Sequence, residues 1–141
     1  MRFPSGTLSR LDEMNEEERR ILRGRRNAYL ATVMPDGSPQ LTPVWVDVDG
    51  DDVVVNTPEG TVKLANMRRD GRVVLAIEAE EDRYRVLSIR GRVVDIEVGA
   101  HVDENIDMLS QRHDGVPWEF ADGETRVRVR IHPERIRILS D

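Results

Sequence analysis

Two tight turns, thirteen residues apart, constrain this chain more than any other feature. Pro35-Asp36-Gly37-Ser38 and Asp49-Gly50-Asp51 separate three strand-like runs: 28–33, Gln40 to Val48, and Asp52 to Asn56. In the first turn proline presets φ and glycine takes the positive φ that other residues avoid. Turns this short join antiparallel neighbours, because parallel strands need a crossover of about a dozen residues or more. The opening half therefore reads as antiparallel, and a parallel βαβ fold is disfavoured. Pro43 removes a backbone donor inside the second run, which suits a sheet edge or a bulge.

Helical signals flank and interrupt the strands. From about Ser9 to Arg25 a weak apolar stripe (Leu11, Met14, Ile21-Leu22) opposes the polar Asn15-Glu16-Glu17-Glu18. This predicts one or two turns and a helix ending before Gly24, lying as a lid over one end of a barrel. Thr57-Pro58-Glu59 reads as a helix start, with Thr57 as N-cap and Pro58 in the first helical position. That helix continues through Leu64 and Met67 to the stop at Asp70-Gly71. Arg72 to Glu78 and Tyr84 to Glu97, the latter bent at Gly91, are the fourth and fifth strands. A second helix spans about Ala100 to Arg112 with Val102, Ile106 and Leu109 inward. Thr125 to Arg137 is the sixth strand, where Val127, Val129 and Ile131 alternate with Arg126, Arg128 and Arg130. The expectation is one domain over residues 1–141: a helical segment at 1–26, then a six-stranded, mainly β antiparallel barrel over 27–137 with peripheral helices.

Composition excludes several functions. The 141 residues contain no cysteine, which removes disulfides, thiolate nucleophiles and cysteine-bound zinc or iron–sulfur clusters. A net charge of −6 and only six aromatic residues oppose a nucleic-acid binder. No apolar window approaches the roughly 20 residues of a membrane span, and the N-terminus carries no secretory signal, so a soluble cytoplasmic protein is expected. His101, His113 and His132 lack metal-binding spacing, and no metal site is expected. GxSxG, GxGxxG and P-loop patterns are missing as well, and no catalytic side chain is identifiable. Any chemistry must then be carried by a bound cofactor.

One segment stands out against that background. Of 21 basic residues, 20 are arginine, and the single lysine is Lys63. It falls just after Asn56-Thr57-Pro58, where a strand hands over to a helix. Open amides, the positive end of the helix dipole and an ammonium group suit a phosphate. The plainer reading is a capped helix with one solvated lysine. Arg126, Arg128 and Arg130 line either a groove for an anionic ligand or an outer face matched by nearby carboxylates. Trp45 either packs in the core or backs onto a ring system, and Trp118 either anchors a dimer or caps a ligand site.

Taken in order, several stretches resemble the pyridoxamine 5′-phosphate oxidase-like split-barrel proteins. They are Leu30-Ala31-Thr32-Val33, Pro35 to Pro39, Thr42-Pro43-Val44-Trp45, Asn56 to Lys63, Asn66 to Asp70, Ser88 to Val93 and Arg128 to Arg135. The match is to the branch that uses the deazaflavin coenzyme F420 rather than FMN. It implies a homodimer with a cofactor site at each subunit interface and hydride transfer to a small unsaturated organic substrate. It also implies that Lys63 meets the cofactor phosphate, that Asn56, Thr57 and Pro58 line the phosphate and ribityl region, and that Thr42, Pro43, Val44 and Trp45 flank the ring. Arg83, Tyr84 and Arg85 would complete the site from the partner subunit. An FMN-binding flavoprotein of the same fold and a cofactor-binding protein without turnover are the alternatives. The arginine- and lysine-rich FMN phosphate signature and C-terminal substrate segment of true pyridoxamine phosphate oxidases are missing.

Overall fold

Seven strands and three helices make up residues 13–139, the part of the chain that this computed structural model describes. In chain order they are α1 (Glu16–Leu22), β1 (Ala28–Val33), β2 (Pro39–Val44), β3 (Val46–Asp49), β4 (Asp52–Pro58), α2 (Val62–Arg69), β5 (Arg72–Ala79), β6 (Asp82–Glu97), α3 (Ala100–Asp114) and β7 (Arg126–Leu139). The part of the expected first helix before Glu13 lies outside the described residues.

One antiparallel sheet carries all seven strands in the order β2-β1-β5-β6-β7-β4-β3. Its two outermost strands, β2 and β3, are consecutive in the chain and separated by Trp45 alone. A sheet whose opposite edges are joined by one residue must curl until those edges meet, which makes a barrel split along that seam. Here the structure corrects the expectation of six strands. The run from Gln40 to Val48 is two strands, because β2 pairs with β1 while β3 pairs with β4. Pro43, which cannot donate to a ladder, stands on the edge strand β2, where a missing donor costs least.

The first turn behaves as its residues dictate. Gly37 has φ 88°, and the Asp36 carboxylate accepts from the Ser38 amide at 2.9 Å. The barrel interior is filled by alternating residues of the strands: Leu30, Leu75, Ile77, Leu87, Ile89, Val127, Val129 and Ile131 are each at most 1 % exposed. Burying side chains of this size stabilises by roughly 1.5–3 kcal/mol each before conformational entropy is charged against it. The pairing of β6 with β7 shifts register between Arg90 and Gly91, the place where a bend was expected.

The helices pack against the sheet: α1 meets β3 and β5, α2 meets β1, and α3 meets β4 and β7. Asn15 is the N-cap of α1, its side chain accepting from the Glu18 amide while the Glu18 carboxylate accepts from the Asn15 amide, each at 2.8 Å. Those residues form a capping box, not only a polar face. Ile21 and Leu22 of α1 enter the core. The expected start of α2 is also corrected. Thr57 and Pro58 remain in β4, paired with Val127 and Arg126, and the Glu59 amide extends the ladder to the Thr125 carbonyl at 2.8 Å. Continued cross-strand hydrogen bonding outweighs a helix start at that point. Gly60, at φ 90°, turns the chain, and Thr61 is the N-cap. α3 directs Val102, Ile106 and Leu109 inward as expected, and Gly115 ends it in the left-handed region. No helix among the described residues is long and apolar enough to cross a membrane.

Candidate functional site

A cleft of about 360 Å³ opens beside the seam. Its walls come from seven places in the chain. Pro43, Val44 and Trp45 bring the β2–β3 junction, and Asn56, Thr57 and Pro58 the last turn of β4. Lys63 reaches in from α2, Ile106 from α3, Arg126 from the start of β7, and Trp118 from the loop before it; Asn27 closes one side. Residues 43–45, 56–58 and 63, separated in sequence, thus share one cavity because the barrel's split edge and the β4–α2 handover coincide. Thr42 stands behind, its hydroxyl 3.5 Å from Lys63 Nζ.

Arg83, Tyr84 and Arg85 are not part of this cleft. They open β6, where the Arg83 guanidinium lies 5.1 Å from the Tyr84 ring centre and Arg85 pairs with Glu17.

The cleft is positively charged. Lys63 is half-buried and makes no ion pair among the described residues. Loss of water, and then the neighbouring charge of Arg126, hold its pKa below the ordinary lysine value. Arg126 is only 7 % exposed and is tightly fixed. Its Nε donates to Asn56 Oδ1 at 2.9 Å, its Nη1 to Glu124 Oε2 at 3.0 Å, and its guanidinium carbon lies 4.8 Å from the Trp118 ring centre. Burial lowers the Arg126 pKa despite Glu124. The Glu124 carboxylate accepts from the Ala121 amide and from Arg126, and both lower its pKa. One carboxylate therefore answers Arg126, while Lys63 is left for an incoming anion.

Two aromatic rings, Trp45 and Trp118, also line the cleft. Trp45 stacks on His113 with centroids 4.8 Å apart and planes 5° from parallel, and Trp118 meets Trp45 edge-on at 6.3 Å. Among the described residues, His113 Nε2 is buried without a hydrogen-bond partner. Burial and the adjacent Arg112 lower the His113 pKa, which favours the neutral ring that stacks on Trp45.

Sequence reasoning grouped Arg126 with Arg128 and Arg130, and the structure separates them. Arg128 and Arg130 take the plainer alternative: both donate to Glu97, at 2.7 and 2.9 Å, and both pair with Asp49. Asn105 was not singled out, although a signal existed. It lies at the helical spacing i+3 from Val102, an amide on the apolar stripe of α3, and its side chain accepts from Asn56 Nδ2 at 3.0 Å. Asn27 and His113 had no comparable signal.

Comparisons with known proteins agree with this architecture. The sequence model of the family described as pyridoxamine 5′-phosphate oxidase matches residues 14–140. Among solved structures, one named F420 reductase is 29 % identical, covering 87 % of this chain and 98 % of its own, with a TM-score of 0.76. A conserved hypothetical protein from Mycobacterium tuberculosis is 25 % identical over 99 % of this chain and 90 % of its own, with a TM-score of 0.73. A candidate pyridoxamine 5′-phosphate oxidase from Listeria innocua, 24 % identical over 86 % of this chain and 94 % of its own, shares the fold with a TM-score of 0.66. No curated protein matches the chain.

Proposed function

Because the chain belongs to the pyridoxamine 5′-phosphate oxidase family, we propose that it is an oxidoreductase that binds the deazaflavin coenzyme F420 and passes a hydride between the reduced cofactor and a small unsaturated organic substrate. The observation that carries this reading is Lys63, a half-buried cation without a carboxylate partner among the described residues, set in a cleft with aromatic walls. The likeness to a structure named F420 reductase supports the choice of cofactor.

The residues present fit such a group. Lys63 would take the phosphate, since an anion restores the balance that burial and Arg126 have disturbed. Asn56, Thr57 and Pro58 would line the chain between phosphate and ring. Trp45 and Trp118 would exclude water from the ring's surroundings, and the Pro43–Trp45 segment would flank it. Thr42 would steady the Lys63 ammonium from behind. The bound deazaflavin supplies the hydride chemistry, and the chain supplies orientation and shelter. The protein acts as a homodimer in this reading, with Arg83, Tyr84 and Arg85 reaching the site from the partner subunit.

Side-by-side equilibrium titration with F420 and with FMN tests it. Tighter binding of F420, followed by oxidation of the reduced form by an activated alkene, is the expected result. A marked preference for FMN would instead make the protein a flavoprotein of the same fold. Binding of F420 without oxidation by any acceptor would make it a carrier.

A further inference from the structure

The outer face of β5, β6 and β7, turned away from the barrel interior, holds a groove of about 260 Å³ whose lining carries three arginines and no carboxylate. Val74, Ser88, Arg90, Arg135 and Arg137 form it, and none of them belongs to the Lys63 cleft. Register explains why they meet. Val74, Arg90 and Arg135 are successive cross-strand partners in one row, and Ser88 stands opposite Arg137 in the next. Alternation along the strands sends these side chains outward, while Leu75, Leu87, Ile89 and Ile136 are buried in the core. The two rows are two residues apart, about 6.6 Å.

Among the described residues, the guanidinium groups of Arg90 and Arg135 and the Ser88 hydroxyl have no ion pair and no hydrogen bond. Other arginines of the sheet are matched. Arg72 pairs with Asp70 at 2.7 Å, Arg92 lies 3.7 Å from Glu134, and Arg128 and Arg130 share Glu97. Glu78 faces the same side of β5 but stands four residues from Val74, roughly 13 Å along the strand and too far to answer Arg90. Arg90 and Arg135 are both exposed and directly opposite each other, a placement in which like charges repel. In a chain of net charge −6 this groove is a local reversal of sign, and a concave site of one sign concentrates the opposite ion.

We propose that this groove is a second ligand site, separate from the cleft, and that it takes a small molecule with two adjacent anionic groups, of the diphosphate type. A guanidinium fork matches the edge of a phosphate bidentately, so Arg90 and Arg135 hold one group between them. The Ser88 hydroxyl donates to the second group in the adjacent row, where Arg137 adds its charge. A single phosphate fills one row and leaves the other unmatched. Val74, 40 % exposed, gives an apolar margin for a small organic portion. The volume holds a compact ligand, and the net charge of −6 opposes a long polyanion such as a nucleic acid. The site is independent of which cofactor occupies the cleft.

Isothermal titration calorimetry at low ionic strength tests it, with inorganic pyrophosphate and inorganic phosphate as separate probes and circular dichroism confirming that each variant is folded. Lys63→Ala serves as the background, because it removes the cleft's own unmatched cation. That protein should bind pyrophosphate about tenfold or more tighter than phosphate, and added salt should weaken the binding. Adding Arg90→Gln and Arg135→Gln should lower pyrophosphate affinity by about tenfold or more, the scale of a lost charge-assisted contact. Should the combined variant fail to fold, each arginine substitution alone should still show a partial loss. Ser88→Ala should narrow the preference for pyrophosphate over phosphate. Equal affinity for the two anions, no pyrophosphate binding in Lys63→Ala, or binding indifferent to the arginine variants would overturn the proposal. With Lys63 intact, the arginine variants should bind F420 as wild type does, so failure of either site leaves the other standing.

Discussion

Asn56 holds Arg126 in the cleft through a bond of 2.9 Å from Arg126 Nε to Asn56 Oδ1, while Asn56 Nδ2 donates to the Val102 carbonyl and to Asn105 Oδ1, each at 3.0 Å. One buried amide therefore ties β4, β7 and α3 together at the point where the cleft's fixed cation emerges. Asn56 is 6 % exposed and Asn105 7 %, so water cannot readily replace either.

Replacing Asn56 by leucine should cost more than its surface change implies. It strands the Arg126 Nε donor and the Asn105 amide oxygen together, and each buried unsatisfied group costs about 1–3 kcal/mol. A loss of about 2–4 kcal/mol in urea unfolding is expected. Asn56→Asp, which keeps the shape, should also destabilise, because an acceptor then faces the Val102 carbonyl. A fall below about 0.5 kcal/mol for both variants, within the range of ordinary surface changes, would mean that the network carries no load.

Lys63 should behave in the opposite way. Its folded pKa lies below the ordinary lysine value of 10.5, first through loss of water and then through Arg126. The folded protein therefore gives up this proton before the unfolded chain does. The cost of the charged form is present in full below the folded pKa, and stability rises as pH climbs from that pKa towards 10.5. Lys63→Met should leave stability at neutral pH unchanged or higher and should abolish that alkaline rise. Under the proposed function, Lys63→Ala should weaken cofactor binding by about tenfold, the scale of one charge-assisted contact. Wild-type affinity should fade as pH approaches the lysine's lowered pKa. In Lys63→Arg it should stay flat, because a guanidinium keeps its proton.

How much of this was legible depends on whether the signal was local. The turns at Asp36-Gly37 and Asp49-Gly50 set antiparallel pairing by themselves, and Gly91 marked the irregularity of β6. Trp45 as a break between strands was not readable, because its cause is non-local: β2 and β3 find partners at opposite ends of the sheet. The helix start expected at Thr57 was displaced to Thr61 for a similar reason, since Val127 and Arg126, far along the chain, offer Thr57 and Pro58 a ladder. Lys63 was conspicuous as the chain's only lysine. Arg126 was hidden within an alternating strand, and only the Glu124–Trp118 loop beside it distinguishes it from Arg128.

Glu97 should dominate the acid limb of stability. Its carboxylate accepts from Arg128 Nε at 2.7 Å and Arg130 Nε at 2.9 Å, with only 13 % of its side chain exposed. Desolvation raises its pKa, but the two arginines lower it further, and it lies below the ordinary glutamate value of 4.5. A depressed carboxylate contributes stability that is present above 4.5 and lost as pH falls through the folded pKa. Glu97→Gln should cost about 1–3 kcal/mol near neutral pH, between the values for exposed and buried pairs, and should flatten the fall in stability below 4.5. Thermal unfolding as a function of pH measures both effects, and parallel curves for wild type and variant would exclude Glu97 as their source.

Gly91 is required by space, not by backbone conformation. A Cβ there would lie 2.7 Å from Ile131 Cγ2 and 2.8 Å from the His132 carbonyl oxygen. Real Cβ atoms do not tolerate either approach. Of the two neighbours, the His132 carbonyl is backbone, and Ile131 is fully buried in the barrel interior. Relief would need β6 and β7 to separate where their register shifts between Arg90 and Gly91. Gly91→Ala should therefore destabilise by about 1–3 kcal/mol, the scale of overpacking a core. The favourable effect of removing glycine's unfolded-state freedom, about 0.4–1 kcal/mol, is too small to offset that. Gly37→Ala serves as the control. It has open space around its Cβ but a φ of 88°, so any loss there reports backbone strain alone. Guanidinium denaturation of the two variants against wild type separates the causes, and an unchanged midpoint for Gly91→Ala would show that the strands part freely at the bulge.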